Sequence, residues 1–253
     1  MLKFSEANAK TKLLKSIPAL GKYLANRRKV YSLDLLSGWS CPGARDCKAK
    51  VHESDGKRTL RDGPHTQFRC FSASQEVLFP KVYANRKFNF GALRKMRGKS
   101  QCAELLELSM PDNLGVLRYH VGGGFFKQAY LDAAVEVAKN HPNRLFYAYV
   151  KSLHFLANVD MINPRCGMVL PNFLVTASRG GEHDHLIDGL DIRTATVIFA
   201  EQKAKTLGLP IDHDDSHAAT TGGSFALLLH GVQPAGSEAS KALVQLKGKG
   251  SYG

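Results

Sequence analysis

The sequence predicts an α/β fold whose mainly parallel sheet is either open or curved into a partial (β/α)6-like barrel. Three observations support this fold class. β-prone segments recur along the chain, helical segments separate them, and glycines follow several of them. Strands that alternate with helices indicate βαβ units and therefore parallel neighbours. Such folds place their chemistry in the loops that follow the carboxyl ends of the strands.

The predicted elements can be assigned in chain order. About six strands are expected, over residues 30–36, 114–121, 144–152, 172–181, 194–200 and 224–231, and the last of these would also suit a buried helix. Helices are expected over residues 73–96 with a proline break, 100–110, 128–140 and 237–248, and one begins at residue 201. Residues 1–28 carry apolar positions at helical spacing, interrupted at Pro18. Residues 52–66 are polar and turn-rich.

The charge of the chain is unevenly distributed. The net charge is +13, but residues 1–100 alone carry 22 Lys and Arg against 7 Asp and Glu. A positive field of this kind attracts nucleic acid or another anionic partner, although a solvated basic surface would look the same. We predict a basic helical segment at residues 1–29. A single α/β domain would follow at residues 30–253, with the cysteine-bearing region at 30–100.

Composition excludes some classes of protein. The chain has 253 residues, 43% of them hydrophobic, which is enough for a large core. No run of about 20 apolar residues occurs, so no membrane-spanning helix and no membrane partner are expected. The first residues lack the apolar segment of a signal peptide, which predicts a cytoplasmic protein. Neither a GxxxxGK(S/T) phosphate loop nor a GxSxG motif is present, and the sequence assigns no catalytic residue.

Three of the five cysteines lie in turn-forming segments. Cys41 and Cys47 flank Pro-Gly-Ala-Arg-Asp directly after the first predicted strand, and Cys70 follows after 22 further residues. Structural disulfides are disfavoured in a reducing compartment. Cations close in sequence are expected to lower the pKa of the thiols and favour thiolates. These cations are Arg45, Lys48, Lys50 and Arg69.

Three thiolates in loops can hold a metal ion or an iron–sulfur cluster, and the spacing leaves both open. Structural zinc sites usually show C-x2–4-C pairs and four ligands, whereas the spacing here is C-x5-C-x22-C. Zinc would need a histidine such as His52 or His65. A 4Fe-4S cluster can use three cysteines and leave one iron for a histidine, a carboxylate, a substrate or a cofactor.

Histidines and glycines follow other predicted strands. His120 and the Gly122–Gly124 cluster end the second strand, and His213 and His217 lie before the last one. Each of the three histidines is a candidate for the fourth iron ligand, because each sits at or near a predicted strand end. The alternatives are a core histidine for His120, a polar surface loop for His213 and His217, and a plain flexible turn for the glycines.

A resemblance to a family of conserved bacteriophage proteins is carried by four stretches of sequence. They are CPGARDCKAKV, GPHTQFRCFSASQEVLFPKVYANRKFNFGALR, LRYHVGGGFFKQAYLDAAVEVAKNHPNRLFYAYVKS and DSHAATTGGSFALLLHGVQPAGSEA. The resemblance runs from about residue 30 to the end of the chain, and the family carries the same three cysteines. It implies a phage-encoded protein in the cytoplasm of an infected host cell, and it implies no reaction.

A looser resemblance of layout is to radical SAM enzymes. These are partial (β/α)6 barrels with cluster cysteines in the loop after the first strand. A glycine-rich motif at the end of their second strand contacts the amino group of S-adenosylmethionine. VYSLDLLSGWSC and LRYHVGGG match that order, but the usual CxxxCxxC is missing. The resemblance implies cofactor contacts from His120, Gly122 and Gly123.

We therefore predict a 4Fe-4S protein in which Cys41, Cys47 and Cys70 bind the cluster and His217 is a candidate fourth ligand. The cluster would face a cavity bounded by the loops at residues 122–124 and 178–182. The protein would be a radical-SAM-like or redox enzyme that acts on an anionic or nucleic-acid-related substrate. The alternative is a nucleic-acid-binding protein without catalysis, in which zinc or a cluster only staples the basic region.

Overall fold

The computed structural model describes residues 1–246, which form a central sheet, a separate hairpin and the helices around them. The strands are β1 Phe4–Glu6, β2 Lys29–Leu33, β3 Ala49–Ser54, β4 Lys57–Asp62, β5 Leu114–Tyr119, β6 Leu145–Val150, β7 Met168–Leu170, β8 Phe173–Ser178, β9 Thr194–Ile198 and β10 Phe225–Leu228. The α-helices are α1 Ala9–Lys12, α2 Gly21–Leu24, α3 Phe71–Leu78, α4 Pro80–Lys95, α5 Lys99–Ser109, α6 Gln128–Asn140, α7 Leu153–Leu156, α8 Ile187–Leu190, α9 Glu201–Leu207, α10 Ser216–Ala219 and α11 Glu238–Leu246.

The central sheet is wound in one direction. Its strands follow the order β1-β2-β5-β6-β8-β9-β10, with β7 paired to β8 off this path. The six strands from β2 to β10 in this order are parallel, whereas β1 and β7 pair antiparallel with their neighbours. Each parallel strand lies beside its predecessor, so the crossovers never reverse. Over residues 1–246 the sheet does not close on itself. The predicted α/β class with a mainly parallel sheet is confirmed.

Most predicted elements lie where the sequence placed them. All six predicted strands form, helix 128–140 has the predicted bounds, and Pro80 separates α3 from α4. The polar stretch at 52–66 is different, because most of it belongs to the β3–β4 hairpin. Residues 1–28 contain an edge strand and several short helical turns instead of one or two helices. The predicted helix 237–248 forms up to residue 246, and its last two residues lie outside the described part.

Both faces of the sheet are covered. Along β5, Leu117 and Tyr119 pack with the helices α5 and α6, whereas Val116 faces the other way. We call that second side of the sheet the inner face. Leu14, Leu20 and Tyr23 of the N-terminal segment bury themselves against it. The segment thus shares a core with the sheet, and the domain boundary after residue 29 stays a prediction.

The helices of residues 1–246 are short or polar. None of them combines the length and the apolar character that crossing a membrane requires.

A candidate cysteine site at the carboxyl edge of the sheet

The loop of residues 37–47, which carries Cys41 and Cys47, crosses the carboxyl ends of the neighbouring strands. A Cβ placed on Gly43 would lie 2.5 Å from the carbonyl oxygen of Lys151, directly after β6. The Asp46 amide donates to the carbonyl oxygen of Gly180, after β8, at 3.0 Å. The Glu182 amide donates back to the carbonyl oxygen of Gly43 at 2.9 Å. The loop is therefore fixed to the edge at which parallel α/β folds place their chemistry.

The Gly122–Gly124 cluster packs against the same loop. A Cβ on Gly122 would lie 2.2 Å from Ser72 Oγ, and one on Gly123 would lie 2.5 Å from Ser40 Oγ. Gly123 also has a φ of +90°, which favours glycine. A Cβ on Gly124 would lie 4.0 Å from Cys41 Sγ. Close approach to the cysteine loop thus explains these glycines, and their cofactor-binding role stays a prediction.

Cys70 reaches the site through backbone hydrogen bonds. The amides of Gln67 and Phe68 donate to the carbonyl oxygen of Asp46, at 2.7 and 3.1 Å. This holds the segment that leads to Cys70 against the loop that ends in Cys47. Cys70 then occupies the N-cap position of α3. Two separate segments therefore bring the three cysteines to the same part of the sheet edge.

Burial and neighbouring charges raise the pKa of all three thiols. Burial raises the pKa of Cys41 to about 12, and the charges of Cys70 and Cys47 add to that shift. Burial likewise raises the pKa of Cys70 to about 12, again with a contribution from Cys47. Burial also raises the pKa of Cys47, and the ammonium of Lys151 opposes that shift. All five cysteines are free thiols.

The prediction that nearby cations favour thiolates is wrong, because burial raises the pKa of all three thiols and three of those cations contact other groups. Arg45 Nε donates to Asp46 at 2.8 Å, and Arg69 pairs with Asp62 at 2.6 Å. Lys50 Nζ lies 4.5 Å from the centre of the Trp39 ring. Lys151, from the end of β6, is the cation that acts on Cys47.

A buried carboxylate lies beside the thiols, and sequence reasoning missed it. Glu76 on α3 is fully buried, and its charge raises the pKa of both Cys41 and Cys70. Its Oε1 accepts hydrogen bonds from the amide and hydroxyl of Ser37 and from Arg86. Its Oε2 is buried and has no hydrogen-bond partner among residues 1–246. Burial raises the pKa of Glu76, although Arg86 and Ser37 oppose the shift.

His230 is a second residue that the sequence did not single out. It follows β10, and its ring centre lies 4.4 Å from that of Phe71, the neighbour of Cys70. Its Nδ1 donates to the carbonyl oxygen of Leu228 at 3.0 Å. Burial lowers the pKa of His230. The ends of β2, β5, β6, β8 and β10 therefore all contribute residues around the cysteines.

The predicted histidine ligands lie in other places. His120 is buried with its Nε2 2.9 Å from the hydroxyl of Tyr130 and its ring against Phe125. Burial lowers the pKa of His120 to about 3, as expected for a neutral core histidine. The ring of His217 contacts Phe225, the first residue of β10, which places it near the amino ends of the strands. The cysteine loop lies at the opposite ends.

A cluster of charged and phenolic groups lies on the inner face. Asp215 is fully buried, and it pairs with Arg118 and with Lys10, the latter at 2.9 Å. The hydroxyls of Tyr147 and Tyr149 donate to the same carboxylate at 3.0 and 3.3 Å. Burial opposes ionisation of Asp215, but Arg118 and Lys10 outweigh it and lower the pKa to about 2. Asp215 is therefore ionised at every physiological pH.

The described residues include no ready-made metal site. In that part of the chain, no group of three or more His, Cys, Asp or Glu side chains is placed to hold a metal ion.

Comparison with known proteins identifies the family of the chain. The model of the family described as Gene product 88 matches residues 2–247. The chain belongs to the Gene product 88 family. The match covers nearly the whole sequence, so the predicted membership of a conserved bacteriophage family is confirmed. No curated protein and no solved structure matches the chain.

Proposed function

We propose that this bacteriophage protein binds a 4Fe-4S cluster through Cys41, Cys47 and Cys70. The observation that carries the proposal is the convergence of three cysteines at the carboxyl edge of the sheet. There the charges of Cys70 and Cys47 raise the pKa of Cys41, and the charge of Cys47 raises the pKa of Cys70. The likeness of layout to radical SAM enzymes supports the same assignment, because the parallel strands follow one another in chain order.

The electrostatics of the site favour a bound cationic centre. Three neighbouring thiolates would repel one another, and Lys151 acts on Cys47. Metal binding displaces thiol protons and supplies the missing positive charge. Backbone amides can donate hydrogen bonds to thiolate sulfurs here. The amides of Ser72 and Ala73 interact with Cys70, and the amide of Gly38 interacts with Cys41. Such hydrogen bonds tune the potential of iron–sulfur clusters.

We favour a cluster over zinc because the cysteine spacing in the sequence, C-x5-C-x22-C, lacks the C-x2–4-C pairs of structural zinc sites. A cluster can bind three cysteines and leave its fourth iron for another ligand. The alternative is a structural zinc ion held by the same cysteines, and metal content distinguishes it from a cluster.

The fourth iron position would take a carboxylate, a histidine or a small molecule. Among the protein groups, Glu76 fits best, because its Oε2 is buried without a hydrogen-bond partner and its charge acts on two of the thiols. His120 lies in the core against α6, and His217 lies near the amino ends of the strands. A small molecule in this position would make the protein an enzyme of the radical-SAM-like or redox type, at work in the host cytoplasm.

The experiment is metal analysis and visible absorption of the full chain purified without oxygen. Brown protein with about four irons per chain supports the proposal. Colourless protein with about one zinc per chain would replace the cluster by a structural ion. Protein that holds neither metal, even after anaerobic reconstitution with iron and sulfide, would overturn the proposal.

A further inference from the structure

A second surface combines exposed aromatic rings with cations. It comprises the outer side of α4 and the adjoining side of the cysteine loop and hairpin. We call it the aromatic–basic face, and its defining residues are Trp39, Lys50, Lys87, Phe88, Arg94 and Lys95. Two adjoining grooves of about 840 and 600 Å³ run along it. They share Glu53, Tyr83, Lys87, Gly91 and Lys95 as lining residues.

The charge of the face is almost entirely positive. Helix α4 carries five Lys and Arg residues and no Asp or Glu. Lys87, Arg94 and Lys95 are exposed on it. The acidic residue in the grooves is Glu53, which already pairs with Lys87 at 2.8 Å. A row of exposed cations above a groove matches the spaced phosphates of a nucleic-acid backbone.

The aromatic rings give the face a second kind of contact. Trp39 is 42% exposed and Phe88 is 46% exposed, so both leave ring surface free in water. A cation lies close to each ring, with Lys50 Nζ 4.5 Å from the centre of Trp39 and Lys3 Nζ 4.9 Å from that of Phe88. Trp39 is held in place, because its Nε1 donates to the carbonyl oxygen of Val51 at 3.0 Å. Fixed, exposed rings among cations are the stacking platforms of proteins that bind single strands.

We propose that the aromatic–basic face binds single-stranded nucleic acid, with phosphates on Lys87, Arg94 and Lys95 and a base stacked on Trp39. The bases of a duplex are stacked on one another, so their faces cannot stack on the exposed rings. A single strand leaves its base faces accessible and therefore fits this surface better. The proposal sharpens the expectation of an anionic partner for the basic region. Nucleic-acid binding by this face does not require the iron–sulfur cluster. A negative result for one of the two proposals therefore leaves the other intact.

Binding to a fluorescent 20-nucleotide oligothymidylate, followed by anisotropy with the full chain, tests the proposal. With three cations on the strand, the logarithm of the affinity should fall with the logarithm of salt concentration at a slope of about −2. The double change Arg94→Ala and Lys95→Ala should reduce that slope by about 1.4. The matched control is Lys203→Ala with Lys205→Ala, two exposed lysines of α9, which should leave the slope unchanged.

Stacking and groove occupancy have separate tests. Trp39→Ala should weaken binding about 5- to 100-fold, while Trp39→Phe should keep most of the affinity. Trp39 is the sole tryptophan of the chain, so its fluorescence should be quenched on binding. A Cβ on Gly91 would meet nothing within 4 Å, so Gly91→Leu should block both grooves and weaken binding without unfolding the protein.

Three results would overturn the proposal. Equal loss of binding in the α9 control would show attraction to net charge alone. Equal affinity for a duplex of the same length would remove the role of the rings. Equal competition by polyglutamate would point to an acidic protein as the partner.

Discussion

Arg86 Nη1 donates to Oε1 of Glu76 at 3.2 Å, and both side chains are buried. The same carboxylate oxygen accepts hydrogen bonds from the amide and hydroxyl of Ser37, at 2.9 and 2.8 Å. Ser37 begins the loop that carries Cys41, and Glu76 lies on the helix whose N-cap position Cys70 occupies. The ion pair of α3 and α4 therefore ties together the two segments that supply the cysteines.

Removal of one partner of this pair should be costly. Glu76→Ala leaves the Arg86 guanidinium buried without an anion, which should lower the free energy of unfolding by about 3–5 kcal/mol. Chemical denaturation followed by circular dichroism measures the change. Glu53→Ala, which removes the half-exposed partner of Lys87, is the matched control and should cost no more than about 1 kcal/mol.

A double replacement distinguishes the buried charge from general damage to the site. Glu76→Leu combined with Arg86→Met removes both charges and should be more stable than Glu76→Ala alone. If the double variant is instead less stable than Glu76→Ala, an unpaired buried charge on Arg86 is not the cause of the loss of stability.

The glycine cluster should tolerate a methyl group at one position and reject it at another. Gly122→Ala places Cβ 2.2 Å from Ser72 Oγ and 2.7 Å from Arg86 Cζ, so the site must shift. Overpacking of this kind should cost about 1–3 kcal/mol. Gly124→Ala meets its nearest atom at 3.4 Å and should cost less. Thermal melting of the two variants gives the comparison, and equal losses would refute the close packing of Gly122.

The raised pKa values of the thiols predict slow alkylation of the metal-free protein. Because the pKa of Cys41 and that of Cys70 are raised to about 12, both thiols stay protonated at pH 8. Their reaction rate with iodoacetamide should rise about tenfold with each pH unit from 8 upward, since the thiolate is the nucleophile. Mass spectrometry of the modified peptides follows each cysteine separately. A rate that is already constant above pH 8 would show preformed thiolates and contradict the description of the site.

Asp215 should contribute to stability in a defined pH range. Its pKa is lowered to about 2 in the folded protein, so its contribution is present above the ordinary pKa of an aspartate and is lost as the pH falls through about 2. The shift corresponds to about 2 kcal/mol. Urea denaturation of the wild type and Asp215→Asn should show a difference that shrinks below about pH 4. A gap for Asp215→Asn that stays constant with pH would contradict the assignment.

The sequence predicted the sheet because its strands are buried on both faces. Segments such as residues 145–150 are apolar throughout, and helix 128–140 shows a regular apolar period. The sequence does not predict the β3–β4 hairpin, because most residues of β4 are exposed and polar. Edge strand β1 is only three residues long, too short for a pattern.

The candidate site was predictable only in part. Cys41 and Cys47 lie in the loop after the first parallel strand, a position the βαβ pattern identifies. The contact between Cys70 and that loop depends on backbone hydrogen bonds to Asp46, which leave no trace in the sequence. Glu76 looked like an ordinary helical acid, because its burial against Arg86 arises from the packing of α3 on α4. The direction of the thiol pKa shifts was missed because proximity in sequence does not fix where a cation points.

The most direct test of the central claim is the iron content of single cysteine variants purified without oxygen. Cys41→Ala, Cys47→Ala and Cys70→Ala should each lose the visible absorption and most of the iron of the wild type. Cys166→Ala, a half-buried cysteine outside the site, should keep about four irons per chain. If the three variants retain as much iron as Cys166→Ala does, or if the wild type binds none, these cysteines do not hold an iron–sulfur cluster.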